Sequence, residues 1–238
     1  MQHSYANRLL ALLPASELSV LAPLLEHVDL PKSFSMASPE RPIQHVYFLE
    51  QGLGSIVSVS PEGQRAEAGM FGYEGFAPTP PAAHSAVSFH ETTMQAPGHG
   101  NRIKVTDFWE VMRTCPQFSE LLHRSTHNLA TQVSYTALAN AVHHVDERLG
   151  RWLLMCHDRL RQDELLITHE FIALMLAVRR PSVTTSLHVL EGNRFIRAER
   201  GRIIIRNRRA LEEFAQDAYG RPEAEYSLLF SDMQPVSA

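Results

Sequence analysis

Nine arginines stand between Arg179 and Arg209, against two acids, Glu191 and Glu199. That is a local surplus of seven positive charges in a chain whose formal net charge is −4. A concentrated cationic field draws polyanions, and the release of their counterions makes such binding favourable and salt-sensitive. Arginine rather than lysine suits two-pronged contacts to phosphate or to the edge of guanine. A solvated basic face has the same composition, so the decision rests on how these arginines are arranged. Among them lie short hydrogen-bonding side chains, Ser182, Thr184, Thr185, Ser186 and His188.

Other chemistry is thinly represented. Thirteen histidines are many for this length, and His123 and His127, four apart, share one face of a helix. His143-His144 and Cys156-His157 are adjacent pairs, yet no third ligand can be assigned to any of them, so packing or solvated histidines are the expectation. Cys115 and Cys156 are the whole thiol inventory, too few for a disulfide framework or a four-cysteine iron–sulfur site. His84, His90 and His99 do not make the closely spaced pair in a strand that a cupin-type metal centre needs. No nucleophile–histidine–carboxylate motif, phosphate loop or glycine-rich dinucleotide turn occurs. An enzyme is not expected.

The elements that must carry the arginines are legible by pattern. Thr168 is a good N-cap, with Glu170 in the first turn of a short helix that turns Ile172, Met175 and Leu176 inward and stops near Ala177-Val178. A second helix opens at Arg179-Arg180-Pro181-Ser182, where proline is tolerated, and repeats Val183, Leu187 and Leu190 at helical spacing. Two strands about Arg200-Gly201 follow, from Phe195 to Ile205, and arginines at such a tip reach a phosphate backbone. Helical hairpin, basic second helix and basic β-wing in succession make a winged helix-turn-helix. Residues 147–160 read as a buried helix ahead of it.

Upstream, residues 6–27 read as short leucine-faced helices. From Val28 to about Val105 short alternating runs, His45–Leu49 and Ser55–Val59 among them, are separated by the turn signals Ser38-Pro39, Glu50-Gln51-Gly52, Pro61-Glu62-Gly63 and Ala96-Pro97-Gly98; this predicts a β-barrel or jelly roll. Ala77–Ala83, with three prolines, is a loop. From Pro116 a helical period through Leu122, Leu129, Val133, Ala137, Ala141 and Val145 predicts one helix to residue 148, about 50 Å long at 1.5 Å per residue. Such a helix needs a partner for its apolar stripe, and a second copy of the chain is the economical one.

Hydrophobic residues are 44% and charged residues 20% of the 238, which excludes disordered, collagenous and rod-like classes. No run approaches a membrane span. The start, Met1-Gln2-His3-Ser4, is too polar for a signal peptide. The cytoplasm is the expected compartment.

Glu147-Arg148-Leu149-Gly150-Arg151-Trp152-Leu153-Leu154, Ile167–Ala173, Arg179-Arg180-Pro181-Ser182-Val183-Thr184 and Arg200–Ile205 together resemble the Crp/Fnr superfamily of bacterial transcription regulators, with looser matches at Val46–Gly52 and Gly72-Tyr73-Glu74-Gly75. The resemblance spans residues 6–214 and implies an α+β chain: a double-stranded β-helix or jelly-roll sensor domain of the cyclic-nucleotide-binding type (1–115), a dimerisation helix (116–146), a winged helix-turn-helix (147–215) and a tail (216–238). It implies double-stranded DNA with a twofold-symmetric site, a second copy and RNA polymerase as partners, and no membrane. By position the family's base-reading residues fall on Arg180, Pro181 and Thr185. Proline and threonine replace the glutamate and second arginine of the best-known members, so the target half-site should differ. Ser182, Thr184, Ser186 and His188 are expected at bases or phosphates, and Arg179, Arg200 and Arg202 on the backbone. Ala177 stands where many such turns have glycine, a minor change if the turn is not left-handed.

The same resemblance makes Gly72, Glu74 and Gly75 a candidate effector pocket. Relatives that bind cyclic AMP follow the glutamate with an arginine for the phosphate, but Ala77–Ala86 holds no arginine or lysine. A buried phosphate without a cation is costly, so cyclic AMP in the usual mode is not expected unless Arg65 or Arg102 is placed there. No cofactor or metal is expected. Two readings stand beside the regulator: a β-barrel small-molecule or metal enzyme with a helical appendage, and a protein–protein interaction module.

Overall fold

Two short helices, α1 (Arg8–Ala11) and α2 (Ala15–Leu21), open the computed structural model, which describes residues 5–233. The polar start Met1–Ser4 and residues 234–238 of the tail lie outside the described residues. Asn7 caps α1, accepting from the Leu9 and Leu10 amides, and its own amide donates to Leu49 and Gly75, both at 2.9 Å. One buried side chain thus anchors the amino terminus to the sheet that follows.

That sheet has five antiparallel strands: β1 (Glu26–Leu30), β2 (Ser35–Ala37), β3 (His45–Val59), β4 (Arg65–Phe71) and β5 (His90–Lys104), in the order β1-β5-β3-β4 with β2 also on β5. Two of the expected turns are not turns. Glu50-Gln51-Gly52 lies inside β3 and Ala96-Pro97-Gly98 inside β5, opposite one another, where the register slips between Leu49 and Gly54. The glycines and the proline bend one long strand pair into a roll instead of ending it. Gly98 is required for the approach, since a Cβ there would lie 2.0 Å from the Gln51 carbonyl oxygen. Pro61-Glu62-Gly63 is a true hairpin turn, with Gly63 at φ +82°.

The roll packs on α3 (Val105–Thr114) and α4 (Pro116–Val142), with Phe48, Phe76, Phe108 and Phe118 at the centre of the shared core. The expected continuous helix to residue 148 is broken. His143 and His144 are extended, with ψ near 150° and 158°, and α5 (Val145–Leu160) begins afresh. The Glu147 carboxylate caps it by accepting from the His144 amide at 2.8 Å, while the His143 ring meets Asp217 at 2.9 Å. The apolar period runs on through the break, so it gives no sign of the change in direction that lets α5 bury Leu149, Trp152 and Leu153.

The carboxyl-terminal unit continues with β6 (Glu164–Leu165), α6 (His169–Met175), α7 (Arg180–Gly192), β7 (Ile196–Glu199), β8 (Arg202–Ile205) and α8 (Arg208–Ala215), the strands ordered β6-β8-β7. Its core is not its own: Leu53, Val57 and Met70 of the roll share one cluster with Trp152, Met155 and Met175. The tail adds α9 (Arg221–Leu229), which returns to α4. No helix among the described residues is long and apolar enough to cross a membrane.

Candidate nucleic-acid interface

Helices α6 and α7 form the expected hairpin. The Thr168 hydroxyl accepts from the Phe171 amide at 3.3 Å, which starts α6. Val183, Leu187 and Leu190 hold α7 to the core. The turn between them is left-handed at Ala177, φ +51°, which corrects the expectation that alanine is of little consequence here. A Cβ in that region costs on the order of 1 kcal/mol relative to glycine.

Arg179, Arg180, Pro181, Thr185 and His188 are exposed along the start and outer face of α7, with Ser182 and Thr184 half-buried beside them. Ser186 is different. It is 5% exposed and turned into the core next to Leu187, so it leaves the set of candidate DNA contacts. Thr185 spends its hydroxyl on the Pro181 carbonyl at 3.1 Å, and Thr184 lies 3.3 Å from His169 Nδ1. Across an open groove of about 580 Å³, lined by Thr168, His169, Glu170, Arg180, Arg200 and Gly201, the wing tip faces the start of α7. His169 was not among the residues singled out from sequence. Its position after the Thr168 cap was the only signal.

Acids temper the cationic surplus. Arg180 meets Glu170 at 2.9 Å, Arg197 meets Glu199 at 2.8 Å, and Arg208 and Arg209 pair along α8. Arg202, expected on phosphate, is held between Glu199 and Glu164 beneath the wing tip. Arg179, Arg194, Arg200 and Arg206 have no ion-pair partner among the described residues. The Arg180–Glu170 pair is more than half exposed on both sides, and such pairs contribute about 0–1 kcal/mol, so the guanidinium can be released to a base edge at small cost.

The candidate effector residues sit elsewhere. Arg65 is committed to Glu91 and Arg102 to Glu26, so neither supplies the missing cation. The cation beside Glu74 is instead Arg159 of α5, whose guanidinium is paired with the Glu74 carboxylate at 2.7 Å, with both side chains largely buried. Gly72 makes room for it, since a Cβ there would lie 2.9 Å from the Arg159 Cβ. Nothing in the local sequence at 72–86 announces Arg159, because the pairing is created by the docking of α5. The cavity on the Gly75, Thr79 and Ser125 side of Glu74 is about 20 Å³, whereas on its other side Glu74 and Arg159 line a half-open pocket of about 250 Å³ together with Arg8, Tyr73, Tyr219 and Tyr226.

A second carboxylate marks the same junction. Glu67 on β4 is buried and accepts from Ser55, from Gln95 at 2.5 Å and from the Trp152 indole N–H at 2.9 Å. Burial pushes its pKa up to about 7, against the opposing pull of the Ser55 and Trp152 hydrogen bonds and of Arg151 and Arg159. Among the described residues no three histidine, cysteine or acidic side chains converge as a metal site, and His127 pairs with Glu225 at 3.3 Å.

Comparison with known proteins agrees with this geometry. Residues 147–214 match the family model of the Crp-like helix-turn-helix domain. A Crp/Fnr-family transcriptional regulator from Eubacterium rectale superposes with TM-score 0.67 at 17% identity, over 88% of this chain and 98% of that one. The c-di-GMP-responsive global regulator CLP of Xanthomonas campestris gives 0.67 at 14%, covering 81% and 99%. FixK2 of Bradyrhizobium japonicum gives 0.65 at 15%, covering 81% and 98%. No curated protein matches the chain in sequence. The fold is that of the Crp/Fnr transcription regulators. Within that fold the carboxyl-terminal unit is the part similar to the Crp-like helix-turn-helix domain.

Proposed function

We propose that the chain is a homodimeric transcription regulator that binds a twofold-symmetric DNA site, with α7 lying along base-pair edges in the major groove. The observation that carries this is the outward presentation of Arg179, Arg180, Pro181, Thr185 and His188 opposite the wing-tip Arg200, across a groove open to solvent. Arg180 reads a base, Thr185 and His188 contact bases or phosphates, and Arg179 and Arg200 hold the backbone. RNA polymerase is the partner through which such a regulator acts.

The second copy is supported by α4. Ala130, Val133, Ala137, Leu138, Ala141 and Val142 form an exposed, small and apolar stripe along it, with Leu138 46% and Val142 64% exposed. A stripe of this kind on a long helix is covered by a copy of itself. Two α7 helices would then enter successive major grooves about 34 Å apart. As for the sensor, the ion-pair commitments of Arg65, Arg102 and Arg159 support a reading in which cyclic AMP does not bind in the usual mode.

The test is selection of bound duplexes from a random DNA pool at moderate salt, with and without cyclic nucleotides. A twofold-repeated motif is expected, the same in both conditions. Recovery of no motif, with no steep loss of binding as salt rises, would remove the reading.

A further inference from the structure

The tail beyond the wing is built into both halves of the molecule. Its near end is tied to the DNA-binding unit. Asp217 meets His143 at the α4–α5 break at 2.9 Å. The Tyr219 hydroxyl donates to Asp158 of α5 at 2.8 Å and accepts from Arg208 of α8 at 2.8 Å. Its far end is tied to the sensor. Phe230 is 2% exposed and sits in the same core as Leu9, Leu10 and Phe118.

Between these anchors α9 passes beside the Glu74–Arg159 pair and forms with it the walls of a half-open pocket of about 250 Å³. The Tyr226 hydroxyl donates to the Glu74 backbone carbonyl at 2.8 Å, with the Arg8 guanidinium 5.0 Å from its ring centre. Glu225 accepts from Asn128 and Thr131 of α4, both at 2.9 Å, and Pro222 accepts from Asn128 at 2.7 Å. Arg124 of α4 closes the far end on the Leu229 carbonyl and on Asp232. Sensor, long helix and DNA-binding unit are therefore joined by one segment, beside Gly72, Glu74 and Gly75, the candidate effector residues.

We infer that residues 217–233 are an internal clasp, which holds the DNA-binding unit docked on the roll with its reading face outward and so does in cis what a bound small molecule would otherwise do. The inference rests on the DNA-binding reading above. The direction of its effect follows from exposure: in the clasped arrangement Arg179, Arg180, Thr185, His188 and Arg200 already face solvent, so docking does not have to be undone to present them. What the clasp supplies is a fixed placement of each unit on its own α4, and hence of two units relative to each other. A protein whose competent arrangement is only fractionally populated binds more weakly by that fraction. Each half-site contact is untouched by the same loss.

The experiment compares the full chain with Tyr226→Ala/Glu225→Ala, and with the milder Tyr226→Phe and Glu225→Gln, on two duplexes: the selected twofold site and the same site with one half scrambled. Thermal melting of each protein checks folding. Affinity for the complete site is expected to fall about ten-fold in the double variant, and by a smaller factor in the milder ones, while affinity for the single half-site stays within two-fold. Equal or tighter binding of the complete site by folded variants overturns the clasp, as does a parallel loss on both duplexes. Should the double variant fail to melt cooperatively, the two milder variants decide by the same criterion. If the unmodified chain binds neither duplex, it is the DNA-binding reading that fails, which keeps the two failures apart.

Discussion

Glu74, on the loop after β4, and Arg159, on α5, face each other at 2.7 Å across the junction between the roll and the carboxyl-terminal unit. Removing one partner of a largely buried ion pair leaves the other charge uncompensated, at a cost of about 3–5 kcal/mol. Arg159→Ala is therefore expected to lower stability by roughly that amount in urea unfolding. Arg159→Met combined with Glu74→Gln should lose clearly less than the sum of the two single changes, because the two sites are coupled. Additive losses would show that the pair does not join the halves.

Glu67 gives the junction a pH dependence of defined sign. Its carboxyl is raised from an ordinary 4.5 to about 7 in the folded chain. The folded state thus holds a proton that the unfolded state releases between those values, and stability falls as pH rises through that window and levels off above it. The full effect is on the order of 3 kcal/mol from the size of the shift. Glu67→Gln, which keeps an acceptor for Trp152 and needs no proton, should flatten the profile and be the more stable form at pH 8. Denaturant midpoints from pH 4.5 to 8 check this, and parallel profiles for the two proteins would contradict it.

At Ala177 the left-handed backbone, φ +51°, is occupied by a residue with a Cβ, and the side chain is exposed. Ala177→Gly relieves that strain but adds freedom to the unfolded chain, leaving a net gain of about 0.5–1 kcal/mol. A melting temperature raised by a few degrees, with DNA affinity unchanged, is the expected outcome; a lowered one would mean the turn is not strained.

How much of this was legible in the sequence differs by element. The helix pair and the wing could be read because each carries its own local signals: Thr168 as a cap, Pro181 in a first turn, Gly201 at a tip. The roll was legible as a class but not in its strands. Glycine and proline mean either a turn or a bend in a paired strand, and only the facing strand tells Gly52 and Gly98 which they are. The break at His143-His144 was hidden because Val145 keeps the helical period of α4. Ser186 is polar yet buried, because its i−3 and i+1 neighbours, Val183 and Leu187, are core residues and place it on their face of α7. Arg159 and the tail were beyond reach for a different reason: their partners, Glu74 and Asn128, lie 85 and 97 residues away from Arg159 and Glu225 and meet them only through docking.

The claim on which the account turns is that Arg180 of α7 touches the edge of a base pair. The most direct measurement is a cycle of four affinities: unmodified chain and Arg180→Ala, each against the selected duplex and against the same duplex with one candidate base pair changed in both halves. The account predicts that the change costs the unmodified chain about 1–3 kcal/mol per half-site and costs Arg180→Ala close to nothing, at one position only. A penalty that is the same for both proteins at every position would contradict it.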